Sequence, residues 1–217
     1  MSQSFPNGTV FSVSTALATA IPLTAISNAS PPVASTSTPP TVGTYGVIES
    51  PWSGLNNRVS RVATVVAATS FTLEGFDTTS TTQYPAATDT GTFQSVSSWV
   101  QLSQVTNIAK SGGTQQYFSW QYAEDPHNTQ IQRPTFKNAR TLTLTLDYDP
   151  ALAWYAALEA ADQAQVPVVL KAQLPSGAIL LYYVYPAFDG DPSMNLNKNM
   201  DNTATFSQIS PLTRYTS

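Results

Sequence analysis

The 217-residue chain has no cysteine and a single histidine, His127. Without cysteine there are no disulfide staples and no thiol chemistry, and the redox compartment cannot be read. A metal site or a Ser–His–acid triad would rest on one imidazole in a polar loop, so neither is expected, and no cofactor is implied. Charge is scarce too. Asp, Glu, Lys and Arg make up 10% of the residues, against roughly 25% in ordinary globular domains. Such a surface suits a chain covered by copies of itself or by partners, and suits a free-standing Ser/Thr-rich β protein equally well. The formal net charge of −4 removes the basic face that a reader of nucleic-acid sequence needs. No apolar run reaches the ~20 residues of a membrane span. The small apolar stretch from Val13 to Ala25 has Ala-x-Ala spacings, but no Lys or Arg precedes it and the first charge is Glu49. It therefore reads as an opening strand and not as a secretory signal.

What is present is mostly β. Apolar residues reach 41%, enough for a core. Thr9 to Thr19 looks like a first strand. Asn28 to Gly46 follows with four prolines and no charge, the composition of loops and edges. From Val47 to Thr79, short strands alternate with Ser-Gly and Asn-Asn turns, which predicts a compact β module. A new pattern starts at "GTFQSVSSWVQLSQVTNI", turns at Ser111-Gly112-Gly113, and continues as aromatics alternating with polar residues in "TQQYFSWQY". From Ala123 to Pro134 the pattern is lost, which predicts a long polar loop. "TLTLTLDYD" then alternates strictly: Leu142, Leu144 and Leu146 face one way, Thr141, Thr143 and Thr145 the other, as in a half-covered antiparallel strand. "VPVVLKAQL" and "AILLYYVYPAF" flank a Pro-Ser-Gly turn and read as a hairpin. "TATFSQI" is the last expected strand.

One segment, about 149–164, reads as an α-helix. Asp149 is placed to cap it, Pro150 suits its first turn, and Pro167 stops the run. Ala151, Trp154, Tyr155, Leu158 and Ala161 form an apolar stripe at helical spacing, which must lie on a sheet. The expected fold is a mainly β sandwich with one flanking helix.

From Trp99 to Tyr215 the chain resembles the major tail tube proteins of long, non-contractile, lambda-like bacteriophage tails. The resemblance is carried by "WVQLSQV", the polar loop after "SGGTQQYFSWQY", the strand "TLTLTL", the acid-then-helix step in "DYDPALAWYAALEAADQ", the hairpin "VVLKAQLPSGAILLYY" and "PLTRY", in that order. The segment from about Gly46 to Thr79 is similar to small β modules that recur in phage structural proteins. Together they imply a tail-tube core from residues 1–20 and 93–217, with a small β-barrel-like module inserted at 21–92 on the outer surface.

The resemblance implies a structural virion protein of the tail tube, made in the host cytoplasm. It would form stacked hexameric rings and a conduit for DNA ejection. Its partners would be itself, a tail terminator, a tape measure and tail-tip proteins, with DNA passing unbound and no membrane involved. Ala123, Glu124, Asp125, His127, Asn128, Gln130 and Gln132 would form an inter-ring loop. Trp154, Tyr155 and Leu158 would cover the sheet, and Thr141, Thr143 and Thr145 are candidates to face the lumen. The nine acidic and seven basic residues from Phe93 to Ser217 agree with a bore that does not grip phosphate.

The residues admit other readings. Asp147/Asp149 and Asp189/Asp191 could pair as acid and base in an enzyme, but a helix cap and a turn explain them more simply. Trp99, Tyr117, Trp120 and Tyr122 could stack sugars in a carbohydrate-binding module, with cross-strand packing as the plainer account. A tail terminator or decoration protein of similar fold is the third alternative.

Overall fold

The computed structural model describes residues 6–86 and 89–216; positions 1–5, 87–88 and 217 of the expected core and module lie outside the described residues. The chain opens with β1 (Val10–Leu17), then builds the module from β2 (Ile21–Leu23), β3 (Ala25–Ile26), β4 (Val33–Ser35), β5 (Tyr45–Glu49), β6 (Arg58–Val66) and β7 (Ser70–Leu73). It returns along the long β8 (Gly91–Leu102) into β9 (Val105–Gly112), β10 (Gln115–Trp120), β11 (Ile131–Lys137) and β12 (Arg140–Asp147). The helix α1 (Ala153–Ala164) follows, then β13 (Val168–Gln173), β14 (Ile179–Phe188), β15 (Asp201–Gln208) and β16 (Thr213–Tyr215). The protein is mainly β, as expected.

Fourteen strands form one antiparallel ladder in the order β3-β4-β7-β6-β5-β8-β1-β13-β14-β15-β12-β9, with β16 added on β14 and β2 on β8. β8 serves two neighbourhoods. Its first half pairs with β2 and β5 of the module, and its second half pairs with β1 of the core sheet.

The core sheet is rolled. β1 and β9 are five strand spacings apart in the ladder, about 24 Å if it were flat. Yet Gly8, Thr9 and Phe11 line one groove with Val105–Ile108, and only Ser103 and Gln104 separate β8 from β9. The concave side gathers Phe11, Val13 and Leu102 with Leu142, Leu144, Leu146, Leu170, Val184 and Phe206. Trp154 and Leu158 of α1 plug this core and are fully buried, with Tyr155 and Ala161 packed beside them. The strict Leu/Thr alternation of β12 thus resolves into a buried row and a half-exposed row.

On the convex side the module covers the β13–β14 region and the adjoining part of β8. Val47 and Val59 meet Val169, Leu181, Tyr183 and Tyr215 in a second buried cluster. The module's own core centres on Trp52, Leu55, Phe71, Leu73 and Phe93. The seam is sewn from the far end of the chain. The Tyr215 hydroxyl accepts from the Arg61 N–H at 2.8 Å and donates to the Glu74 carbonyl at 2.9 Å. Ser210 Oγ donates to the Asn57 carbonyl at 2.6 Å. Arg61 lies over the Tyr215 ring and pairs with Glu74 at 2.6 Å.

Two local expectations are corrected. The helix begins at Ala153, not 149, with Leu152 as an N-cap that makes no side-chain cap bond. Asp149 instead accepts from the Ala151 N–H at 3.1 Å, closing a turn ahead of the helix and competing with the cap it was expected to form. The last strand is β16 and not β15, because Thr213 and Tyr215 turn inward around exposed Arg214.

Leu144→Ala should cost about 2–5 kcal/mol by urea unfolding, because its cavity opens inside the rolled sheet. Thr143→Ala, on the half-exposed row, should stay within about 0.5 kcal/mol of the parent. Tyr215→Phe removes two part-buried hydrogen bonds, with Ser60 still able to reach the Glu74 carbonyl, and should cost about 0.5–1.5 kcal/mol, read by the same titration.

Candidate assembly surfaces

Between β9 and β12 the chain extends away from the body as a long hairpin arm. The β9–β12 ladder ends at Gly112 opposite Arg140, and β10–β11 resumes with Gln115 opposite Lys137 as a separate two-stranded sheet. The break is made by Gly112 and Gly113, at φ of +77° and +78°, conformations that side chains resist. A Cβ on Gly112 would lie 1.9 Å from the Ala139 carbonyl oxygen, so the strands approach there only because the residue is glycine.

The outer arm is uncovered. Tyr117, Phe118 and Phe136 are 56%, 61% and 65% exposed, unusual for three large rings on a two-stranded ribbon that is marginal by itself. Phe118 and Trp120 stack at 5.8 Å on one face, opposite Arg133 and Ile131. Ala123, Glu124, Asp125, His127, Asn128 and Gln130 sit in the loop at its tip, while Gln132 lies on β11 opposite Ser119. The polar loop is therefore shorter than Ala123–Pro134, since Ile131–Pro134 pairs with β10 despite its polar composition. Asp125 ties the tip: its carboxylate accepts from the N–H groups of His127 and Thr129 at 2.9 and 3.0 Å. These two bonds hold its pKa below the usual carboxylate range.

A second surface is the convex wall of β9, β12 and β15. Thr141, Thr143 and Thr145 stand level with Ser111, Ala109 and Asn107 on one side and with Ser207, Thr205 and Thr203 on the other. Tyr185 and Ala187 of β14 continue the row. None of these positions is Lys or Arg. The cation that this convex face carries on β13, Lys171, lies 4.7 Å from the Trp99 ring and 5.7 Å from that of Tyr45, and burial lowers its pKa. Both unpaired edges of the core sheet flank this region: the outer edge of β9 and the part of β8 beyond Ser95 that faces away from β1.

The rival sites do not assemble. Tyr117 and Trp120 are three residues apart on one strand and so point to opposite faces, while Trp99 is packed edge-on against Tyr45 in the seam. Trp99, Tyr117 and Trp120 therefore share no sugar-stacking face. Asp189 accepts from the Asp191 N–H at 3.0 Å, a turn as expected. Among the described residues no three His, Cys, Asp or Glu side chains cluster as metal ligands, and no helix is long and apolar enough to cross a membrane. Sequence reasoning missed the seam residues Arg61, Glu74 and Tyr215, because Tyr215 lies more than a hundred positions from the other two.

The described surfaces are thus a rolled antiparallel sheet, an uncovered arm and a wall without Lys or Arg. The sequence profile of the phage tail tube protein family, TTP, matches residues 50–217. The chain belongs to that family, and is a structural protein of the phage tail; the family is not one of enzymes. Among solved structures, a chain from the virion of a native gene transfer agent (GTA) particle is similar at 7% identity and a TM-score of 0.42, over 54% of this chain and 88% of that one. No curated protein matches.

Asp125→Ala should accelerate hydrogen exchange at the His127 and Thr129 amides and leave global unfolding unchanged. In the parent, the depressed pKa means that the tie is complete above the ordinary Asp range and is lost only as pH falls through the lowered value. Exchange at these amides that is insensitive to acid in that window would remove Asp125 from the role.

Proposed function

We propose that this tail protein closes into hexameric rings that stack as the tail tube, through which DNA leaves the particle. The observation that carries the reading is the arm, whose three exposed rings have no cover within one chain and call for a neighbouring copy. The two unpaired sheet edges support lateral closure, since joining them around a ring removes edges that would otherwise template uncontrolled pairing. The six-fold number rests on the family resemblance.

The wall of Thr141, Thr143 and Thr145 is the face offered to the bore. Hydroxyls without cations hydrate the surface and make no persistent phosphate contacts, so passing DNA is not retained. On a rolled sheet the module, seated over β13 and β14, looks in a different direction from this wall, which suits a place on the outside of the tube. A terminator at one end, tip proteins at the other and a tape measure in the bore complete the assembly in this reading.

Negative-stain microscopy of the concentrated protein tests it, with stacked tubes of uniform bore as the expected result. Replacing Ala123–Gln130 by two glycines should leave a folded chain that forms rings but no tubes. Isolated rings from the parent protein at every concentration would point instead to a terminator, and a strict monomer would end the reading.

A further inference from the structure

The arm and the opposite end of the body carry opposite charge. Residues 105–140 hold Lys110, Arg133, Lys137 and Arg140 against Glu124 and Asp125, a net +2 on a chain of net −4. The two acids are confined to the tip loop, so the charges on the shank, Arg133 and Lys137 of β11, are all basic. Arg133 and Lys137 are exposed on β11, and Lys137 and Arg140 line a groove of about 450 Å³ at the arm's base with Gln208 and Ser210.

At the other end of the same strands lies an acidic rim. β12 runs from Arg140 to Asp147, and Asp147 stands directly opposite Asp201 of β15. Like charges in register oppose folding within one chain. The loop between β14 and β15 adds Asp189 and Asp191, drawn to the rim by the Asn202 amide, which donates to the carbonyls of Asp189 and Gly190 at 3.0 and 3.2 Å. Tyr155 donates to the Gly190 carbonyl at 2.9 Å. Burial first, and then the charges of Tyr148, Glu159, Asp191 and Asp189, push its phenol pKa up. Lys198 is the one cation in this loop. Among the described residues Arg61–Glu74 is the ion pair present, so no carboxylate of the rim is neutralised by a salt bridge within the chain.

We infer that the basic shank of the arm docks on the acidic rim of a second copy of this chain in the next ring, so that charge fixes the head-to-tail polarity of stacking. The inference rests on the tube reading and names the surface that the arm meets. The uncovered rings of Phe118 and Phe136 supply apolar contact, while Arg133, Lys137 and Arg140 face Asp147, Asp189, Asp191 and Asp201. A head-to-head stack would bring like charges together, which is how complementary charge excludes wrong partners.

Two charge-reversed proteins test this. One carries Arg133→Glu with Lys137→Glu, the other Asp189→Lys with Asp191→Lys, all at exposed positions away from the buried core. Each alone should fold cooperatively, the second losing only the exposed Asp189–Asp191 turn bond, and need at least about tenfold more protein to form tubes, a loss of about 1.4 kcal/mol. Mixed in equal amounts they should form tubes again, because each protein's arm now opposes the other's rim. Parent tubes should also shorten between about 0.1 M and about 1 M salt, as the screening length falls from about 10 to 3 Å. Reversed proteins that assemble like the parent, or a mixture with no recovery, overturn the pairing. If the substitutions unfold the chain, salt-insensitive parent tubes overturn it instead. A parent that makes no tubes at any salt overturns the tube reading itself.

Discussion

The two-residue link between β8 and β9 governs the whole body. The ladder places these strands at opposite ends of the core sheet, and the link holds them side by side, so the sheet has to roll. Rolling turns one face inward, which is why Leu142, Leu144 and Leu146 find Phe11 and Leu102 from the far side of the ladder. It also leaves an open end that a sheet alone cannot seal. The helix fills it with Trp154 and Leu158 and supplies apolar volume without adding another strand edge.

Once the concave face is sealed, the convex face divides by neighbour. Over β13 and β14 it is apolar and roofed by the module; over β9, β12 and β15 it is hydroxyl-rich and bare. On β12 and β15 charge sits at the strand ends, with Arg140 at one end of β12 and Asp147 beside Asp201 at the other. A chain built this way has a neutral flank and polar ends, so in the proposed tube lateral and axial contacts would rely on different physics. In that reading flanks would depend on backbone edges, and ends on charge and aromatic rings.

Much of this was legible in the sequence where the signal is local. The period of two in "TLTLTL", the helical stripe of Trp154, Tyr155 and Leu158, and the Pro-Ser-Gly hairpin all report nearest-neighbour geometry, and each element is present. The helix start was misread because Asp149 and Pro150 satisfy a turn as readily as a cap. β11 was partly hidden because Gln132, Arg133 and Pro134 carry no apolar period; their strand is set by pairing with β10. The seam was invisible for a different reason: Tyr215 has no local partner, and its role exists only once Arg61 and Glu74 are folded beside it. Of the candidate assembly residues, the sequence located the tip loop, but not the glycine break or the exposed rings that make it part of an arm.

The seam orders events during synthesis. The module's strands run contiguously from Ile21 to the first half of β8, so they can pair while the rest is still being made. β1 must wait for β8 and then for β13, some 160 positions later in register. Domains generally fold as the chain emerges, at about 5–20 residues per second, so the module stands complete several seconds before its core sheet. Its seam face, Val47 and Val59, has nothing to rest on until β13, β14 and finally Tyr215 arrive. The nascent chain therefore carries an apolar patch that is extinguished only by its last strand, and a ribosome stalled before β16 would release a subunit with that patch unsealed.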